Sequence, residues 1–370
     1  MTDRVYIRPI GLVPGPQSEH GNAIRLAGGM VYASRFAVIL RRDGEIAERW
    51  LAAPDTVDDV MAKLPEEVAA DAEQQWSNLT LAHPPLELGS RTVRLDQPQV
   101  MGILNVTPDS FSDGGEFMDK PEVQREQAAS MVEAGASIID IGGESTRPGA
   151  KPVWEGDEIE RVVPAVEMCA GMGAAVSIDT RKAAVMEAAL DAGATLVNDV
   201  SGLTHDPRSP EVVAARGCPV VLMHAPGEGD DLHEGGEYSN VVFDVFDELR
   251  KRRDQALEAG IVASRIVLDP GIGFGKSLAD NLALVNALPV FHALGHPLLL
   301  GMSRKRMIGA LSKEEGADQR LGGSIALAMR AMDAGVQLLR VHDVPETVQA
   351  RNVWRGLRDA ALTDFGDLPG

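Results

Sequence analysis

Arg147, Lys276, Lys305, Arg340 and His342 are far apart in this chain, yet each closely follows a short apolar run. Asn105, Asp179, Asn198 and Asp269 are placed the same way, closing the runs "GILN", "SID", "LVN" and "IVLD". Cations and donors gathered at one mouth suit an anionic group. Carboxylates and amides with parallel acceptors suit the edge of a flat, nitrogen-rich heterocycle. Asn105 carries an amide able to bind a metal or an anion. Taken singly, Asp179, Asn198 and Asp199 could cap helices, Lys305 could be solvated surface, and His342 could be a core histidine. The chemistry lies in their convergence.

Several familiar chemistries are excluded. "GIGFGKS" places three residues between Gly271 and Gly275, where a phosphate-binding P-loop needs four. It also lacks the dinucleotide glycine pattern. No H-E-x-x-H or Cys/His cluster has zinc spacing, and His205, His224 and His233 are scattered. No G-x-S-x-G elbow appears, and no serine or cysteine nucleophile is paired with a base.

The elements that must position these residues follow one grammar. "EAGASIIDIGG" (133–143), "DAGATLVNDVSG" (191–202), "EAGIVASRIVLDPG" (258–271) and "DAGVQLLRVHDV" (333–344) each end a helix in Ala-Gly and begin an apolar run. Glycine there suits a left-handed helix C-cap. Runs apolar on both faces suit parallel strands covered by helices. Strands are expected at 99–104, 137–142, 175–179, 195–199, 218–223, 265–269, 297–301 and 337–342, with helices between them, for instance 121–134, 182–192, 240–259 and 345–359. A doubly wound open sheet shares this alternation. The count of eight favours an α/β (β/α)8 TIM barrel, whose site lies in the loops after its strands.

Residues 1–85 break the grammar and read as a small N-terminal α+β extension of unknown role, with 86–370 as the barrel domain. "RFAVILRRDGEIAERWLA" (35–52) predicts a hairpin turning at Asp43-Gly44. "TVDDVMAKL" and "PEEVAADAEQQW" predict short helices, "HPP" (83–85) a linker, and "LELGSRTVRL" (86–95) a second hairpin.

Composition narrows the partners. The chain has 370 residues, is 44% hydrophobic and only 4% aromatic, so aliphatic side chains must fill its core. A formal charge of −20 argues against nucleic acid and anionic membranes, which require a basic footprint. Cys169 and Cys218 read as small buried hydrophobes rather than a disulfide framework. No apolar run approaches the ~18 residues of a membrane span, and "MTDRVYIRPIG" lacks a signal-like apolar core. These features predict a soluble, cytoplasmic protein.

The set "NVTPDSFSDGG", "GGESTRPGA", "SIDT", "NDVSG", "LMH", "DPGIGFGK", "GMSRK" and "RVHD" resembles, in order and over about 86–360, the dihydropteroate synthases of the pterin-binding family. The resemblance implies condensation of 6-hydroxymethyl-7,8-dihydropterin pyrophosphate with 4-aminobenzoate, with Mg2+ present. It further implies a cytoplasmic, homodimeric enzyme of folate biosynthesis that is a target of sulfonamides. By the same resemblance Asn105, Asp179, Asp269 and Lys305 carry catalysis, and Asp179, Asn198, Met223, Asp269 and Lys305 hold the pterin. Pyrophosphate meets Asn105, Arg147, Arg340 and His342, with Asn105 also near the metal. Aminobenzoate meets Phe111, Thr146, Pro148, Phe274, Ser303 and Lys305. The polar loop after the first strand is then a lid. The alternatives are a non-catalytic pterin binder, which has no need to keep both the lid and the "STRPGA" loop, and a pterin-dependent methyltransferase, which is not expected to carry both "STRPGA" and "SRK". One departure is visible. After "LMH" the family usually continues with methionine, whereas this chain has "APGEGDDLHEGGEY".

Overall fold

The computed structural model describes residues 3–18, 21–107, 121–147, 149–227, 229 and 231–362. Eight parallel strands follow the grammar of the sequence: β1 (Gln99–Asn105), β2 (Ile138–Gly142), β3 (Val176–Asp179), β4 (Leu196–Asp199), β5 (Val220–Met223), β6 (Ile266–Asp269), β7 (Leu299–Leu300) and β8 (Leu338–Val341). Their order is β6-β5-β4-β3-β2-β1-β8-β7. A parallel bridge between Leu268 and Leu298 joins the two ends of that order. Leu268 N–H donates to Pro297 O at 2.9 Å beside it. The sheet is therefore a (β/α)8 barrel.

Around it lie α1 (Pro121–Glu133), α2 (Glu155–Gly171), α3 (Ala183–Asp191), α4 (Ser209–Arg216), α5 (Val241–Glu258), α6 (Leu278–Ala287), α7 (Arg306–Leu311), α8 (Leu321–Asp333) and α9 (Val344–Leu362). The Ala-Gly pairs behave as expected: Gly135, Gly193, Gly260 and Gly335 all have positive φ just past a helix. None of these helices is long and apolar enough to cross a membrane.

Alternate residues of each strand face the barrel axis. At the N-terminal end this inward set is apolar. Met101, Ile138, Ala175, Leu196, Val221, Val267, Leu299 and Leu338 form one buried cluster with Leu86, Leu88, Val93 and Leu95. Leu86, Leu88 and Val93 come from a hairpin, Leu86–Leu88 with Arg91–Val93, and Leu95 from the segment just after it. The predicted second hairpin is thus the plug that closes the barrel's base. Two residues further along, five of these strands present polar residues, Asp140, Ser177, Asn198, Asp269 and Arg340, and there the site begins.

The first hairpin is also present, Phe36–Arg42 paired with Glu45–Ala52. Its turn residues Asp43 and Gly44 have φ of 49° and 89°, as a two-residue hairpin loop of right-handed twist requires. The helices Val57–Met61 and Glu66–Thr80 follow. The helical residue Gln75 satisfies the edge of strand Asp3–Pro9, accepting from Ile7 N–H at 3.0 Å and donating to Val5 O at 2.8 Å. The extension docks on α5: the Tyr6 ring stacks on Phe243 with centroids 4.3 Å apart, and the Tyr6 hydroxyl donates to Asp247 at 2.7 Å.

Candidate active site

The C-terminal ends of the strands bring the polar residues together. Inward alternation on β8 runs Leu338, Arg340, His342; on β2 it runs Ile138, Asp140, Gly142; on β4 it runs Leu196, Asn198. Arg340 is the hub. Its Nε donates to Asp140 Oδ2 at 2.6 Å and its Nη2 to Asp179 Oδ2 at 2.6 Å. Asn198 Nδ2 donates to the same Asp140 oxygen at 3.1 Å. These bonds link strands that are not neighbours, so they cross the barrel interior. Asp140 Oδ1 is buried without a partner among the described residues. Burial pushes the Asp179 carboxyl up to about 7, against the pull of the Arg340 guanidinium, and Arg340 is itself raised by its two carboxylates. Asn105 sits across from Asp179: the space that a side chain on Gly142 would fill lies 3.6 Å from Asn105 Oδ1 and from Asp179 Oδ2.

Neighbouring residues on β4 divide the labour. Asn198 faces inward, whereas Asp199 turns away and caps the following turn, accepting from Ser201 N–H at 2.7 Å and Leu203 N–H at 3.1 Å. The capping possibility raised by the sequence therefore holds for Asp199 and not for Asn198.

Asp269 closes β6 and is buried, and that burial raises its pKa. Its Oδ1 accepts from Gly271 N–H at 2.7 Å, so it both caps the loop and sits at the mouth. Gly271 has φ +67°, and a Cβ there would lie 1.9 Å from His224 O; only glycine fits. The loop it starts carries Phe274. Lys305 reaches over this loop, with its Nζ donating to Ile272 O and lying 4.5 Å from the Phe274 ring centroid. Burial lowers the Lys305 pKa to about 8, with the Asp269 charge opposing that fall.

Lys276 does not face the mouth, contrary to the expectation that it joins the cations there. Its Nζ is folded under its own loop, donating to Gly271 O at 2.8 Å and Phe274 O at 3.0 Å, with His224 Nδ1 at 3.0 Å. Burial and the nearby Lys305 bring its pKa down to about 7. It holds the Phe274 loop in shape. Met223 is buried with Val200, Ala225 and Leu232, and Phe274 packs against that group.

His342 lies beside Ser303. The Ser303 hydroxyl oxygen accepts from the His342 backbone N–H at 3.2 Å and lies 3.1 Å from Nδ1. With Ser303 donating to Nδ1, the ring proton sits on Nε2, free to serve an anion. Burial, with Arg340 and Arg304 nearby, lowers the His342 pKa to about 4, so the ring acts as a neutral donor at pH 7. Arg147 is exposed on the loop after β2, which Glu144 anchors through Val153 N–H at 2.9 Å and Arg181 at 3.2 Å. Thr146 and Arg147 line a cleft of about 120 Å3 with Lys151, Leu232 and His233. Phe111, Pro148 and most of the expected lid lie outside the described residues.

Sequence reasoning missed two contributors. Asp140 sits two residues before a strand end, away from the polar tips, although the alternation in "SIIDIGG" places it inward. His233 is one of several scattered histidines in the sequence, and only the folded chain brings it to the cleft.

Comparison with known proteins agrees with this geometry. A family described as pterin binding enzyme matches residues 101–342. The chain is 43% identical over 278 residues to dihydropteroate synthase of Haemophilus influenzae, covering 74% of this chain and 99% of that one. It is 49% identical over 264 residues to a probable bifunctional folylpolyglutamate synthase/dihydropteroate synthase of Haloferax volcanii, covering 71% of this chain and 31% of that longer protein. A solved dihydropteroate synthase of Xanthomonas albilineans with 4-aminobenzoic acid superposes with a TM-score of 0.70 at 44% identity, over 78% of this chain and 100% of that one.

Proposed function

The chain belongs to the pterin-binding enzyme family, and on that premise we propose that it condenses 6-hydroxymethyl-7,8-dihydropterin pyrophosphate with 4-aminobenzoate, giving 7,8-dihydropteroate and pyrophosphate. The observation that carries this reading is the shared mouth: Asp179, Asn198 and Asp269 at or near three strand ends, with Lys305 just before α7, around the buried Arg340–Asp140–Asp179 network. A pterin carries a 2-amino group beside a ring N–H, two parallel donors that match one carboxylate, and Asp269 is the carboxylate proposed to meet them. Asp179, Asn198 and Lys305 hold the rest of the ring edge, with Met223 against its face.

The reaction needs a leaving group stabilised and water excluded, not a strong base. In this reading Arg147 and the Nε2–H of His342 receive the diphosphate, together with Arg340 Nη1, which is used by neither of its two carboxylate bonds. As pyrophosphate departs, negative charge grows on its oxygens, where these donors act. The positive charge left on the pterin methylene lies above carboxylates that burial keeps from water. The arylamine then attacks from the side walled by Thr146, Phe274, Ser303 and Lys305.

Among the described residues no group of three or more His, Cys, Asp or Glu side chains could hold a metal. A single hard donor fits Mg2+ that arrives on substrate phosphates and keeps most of its waters, and Asn105 is that proposed donor. When bound, Mg2+ would neutralise charge on the diphosphate. We also propose a cytoplasmic homodimer that sulfonamides inhibit by occupying the aminobenzoate side. A mostly apolar groove of about 390 Å3 between α7 and α8, lined by Ile308, Leu311 and Leu327, supports an interface there. The deciding assay is pyrophosphate release that depends on 4-aminobenzoate. Release without it, or none with both substrates, would sink the proposal.

A further inference from the structure

Within the barrel, the loop after β5 leaves the pattern the chain otherwise resembles, and it reaches into the site through His233. The imidazole lies nearly parallel to the Phe274 ring, at 11° with centroids 5.1 Å apart. Its Nε2 is 2.9 Å from Thr146 O, and Gly275 N–H donates to its Nδ1 at 3.4 Å. With the proton on Nε2 both contacts are satisfied at once. One side chain therefore ties the loop after β2 to the loop after β6.

The contact is built, not incidental. Asp231 Oδ1 accepts from His233 N–H at 2.9 Å and sets the local turn. Leu232 is buried in the cluster against which Phe274 packs. Behind the histidine the two backbones touch, so that a Cβ on Gly236 would lie 1.7 Å from Gly275 O. The other partner of the Phe274 ring is the Lys305 ammonium, and Thr146 and His233 share the cleft beside it.

We propose that His233 is the positioning residue of the arylamine pocket. It fixes the distance between the Thr146 and Phe274 walls, so the divergent loop sets how tightly a flat aromatic acid is held. The inference rests on the reaction proposed above. A pocket held at one width binds its ligand without first ordering two loops, an entropy saving that appears as affinity.

Steady-state pyrophosphate release, with 4-aminobenzoate and the pterin pyrophosphate varied in turn, tests this. Losing two hydrogen bonds and one ring contact in His233→Ala is expected to raise the KM for 4-aminobenzoate about tenfold, with the pterin KM unchanged. His233→Gln keeps a donor for Thr146 O and an acceptor for Gly275 N–H, and should recover most of that loss. His233→Phe keeps only the ring and should fall between the two. Melting temperatures measured alongside separate this from misfolding. An unchanged aminobenzoate KM in His233→Ala, or equal rises in both KM values that His233→Gln does not rescue, overturns the proposal. Wild-type protein without aminobenzoate-dependent release would instead overturn the reaction on which it rests.

Discussion

The base and the mouth of this barrel are made by the same strands, two residues apart. Leu338 lies in the apolar plug and Arg340 in the polar hub; Val267 and Asp269, and Leu196 and Asn198, repeat the step. A two-residue advance keeps a side chain on the same face of its strand, so the change is one of depth alone. At the base the hairpin Leu86–Val93 excludes water, and close packing is the only demand. At the mouth the inward side chains are polar though mostly buried, and their charges are matched to one another. The comparison teaches that stability and chemistry are layered along one axis, and that substitutions in the two layers should fail differently.

The largest expected effect is Arg340→Met. It leaves Asp140 and Asp179 buried without their guanidinium, and breaking a buried ion pair from one side costs about 3–5 kcal/mol of stability. Turnover should be lost as well. The pH dependence has a definite sign. Burial already raises Asp179 to about 7, so the folded state holds that proton more tightly than the unfolded chain, where the carboxyl titrates near 4. Its contribution to stability is therefore greatest at low pH and is lost as pH rises from about 4 towards 7. Without Arg340 the carboxyl rises further and the loss at high pH deepens. The melting-temperature gap between wild type and Arg340→Met should be wider at pH 8 than at pH 5. A gap that ignores pH would show that the carboxylates are not its cause.

Next is Leu338→Ala, two residues below on the same strand. It opens a cavity in the plugged base and should cost about 2–5 kcal/mol of stability. Below the melting transition, KM for both substrates should match wild type. A changed KM would break the comparison, because it would mean that the base shapes the mouth.

Most of this layering was legible before folding. Strand limits were read within one or two residues, since aliphatic runs bounded by Ala-Gly and by polar tips admit few alternatives. Both hairpins were legible, the first from Asp43-Gly44. The plugging role of the second was not, because Leu88 and Val93 meet Leu196 and Leu338 only after the barrel closes. Docking of the extension was likewise hidden, since Tyr6 and Asp247 lie 241 residues apart and no local pattern encodes their meeting. Lys276 misled for a different reason: a lysine in a glycine loop looks free, and only the fold shows carbonyls gathered around its Nζ.

Asp269→Asn sharpens the comparison from the mouth side. Asparagine still accepts from Gly271 N–H, so the melting temperature should scarcely move. One acceptor becomes a donor that faces a pterin donor, and a buried unpaired donor costs about 2 kcal/mol or more in pterin binding. Calorimetry with the pterin substrate measures this directly. Normal binding with a lower melting temperature would make Asp269 a loop cap alone.

The smallest expected effect tests the base at its outer turn. Gly89 joins the two strands of the plugging hairpin and has φ +63°. A left-handed backbone costs an L-residue about 1–2 kcal/mol. The new methyl group itself finds room, because its nearest neighbour is Thr195 Cγ2 at 3.4 Å, an ordinary contact. Gly89→Ala therefore isolates backbone strain from overpacking. It should lower stability by about 1 kcal/mol, a shift of about 2 °C or less in a chain of this size. The hairpin carries no residue of the mouth, so kcat and both KM values should be unchanged. A loss of turnover in Gly89→Ala without a matching loss of stability would show that the plug transmits its register up the strands, and the two layers would then be one mechanical unit.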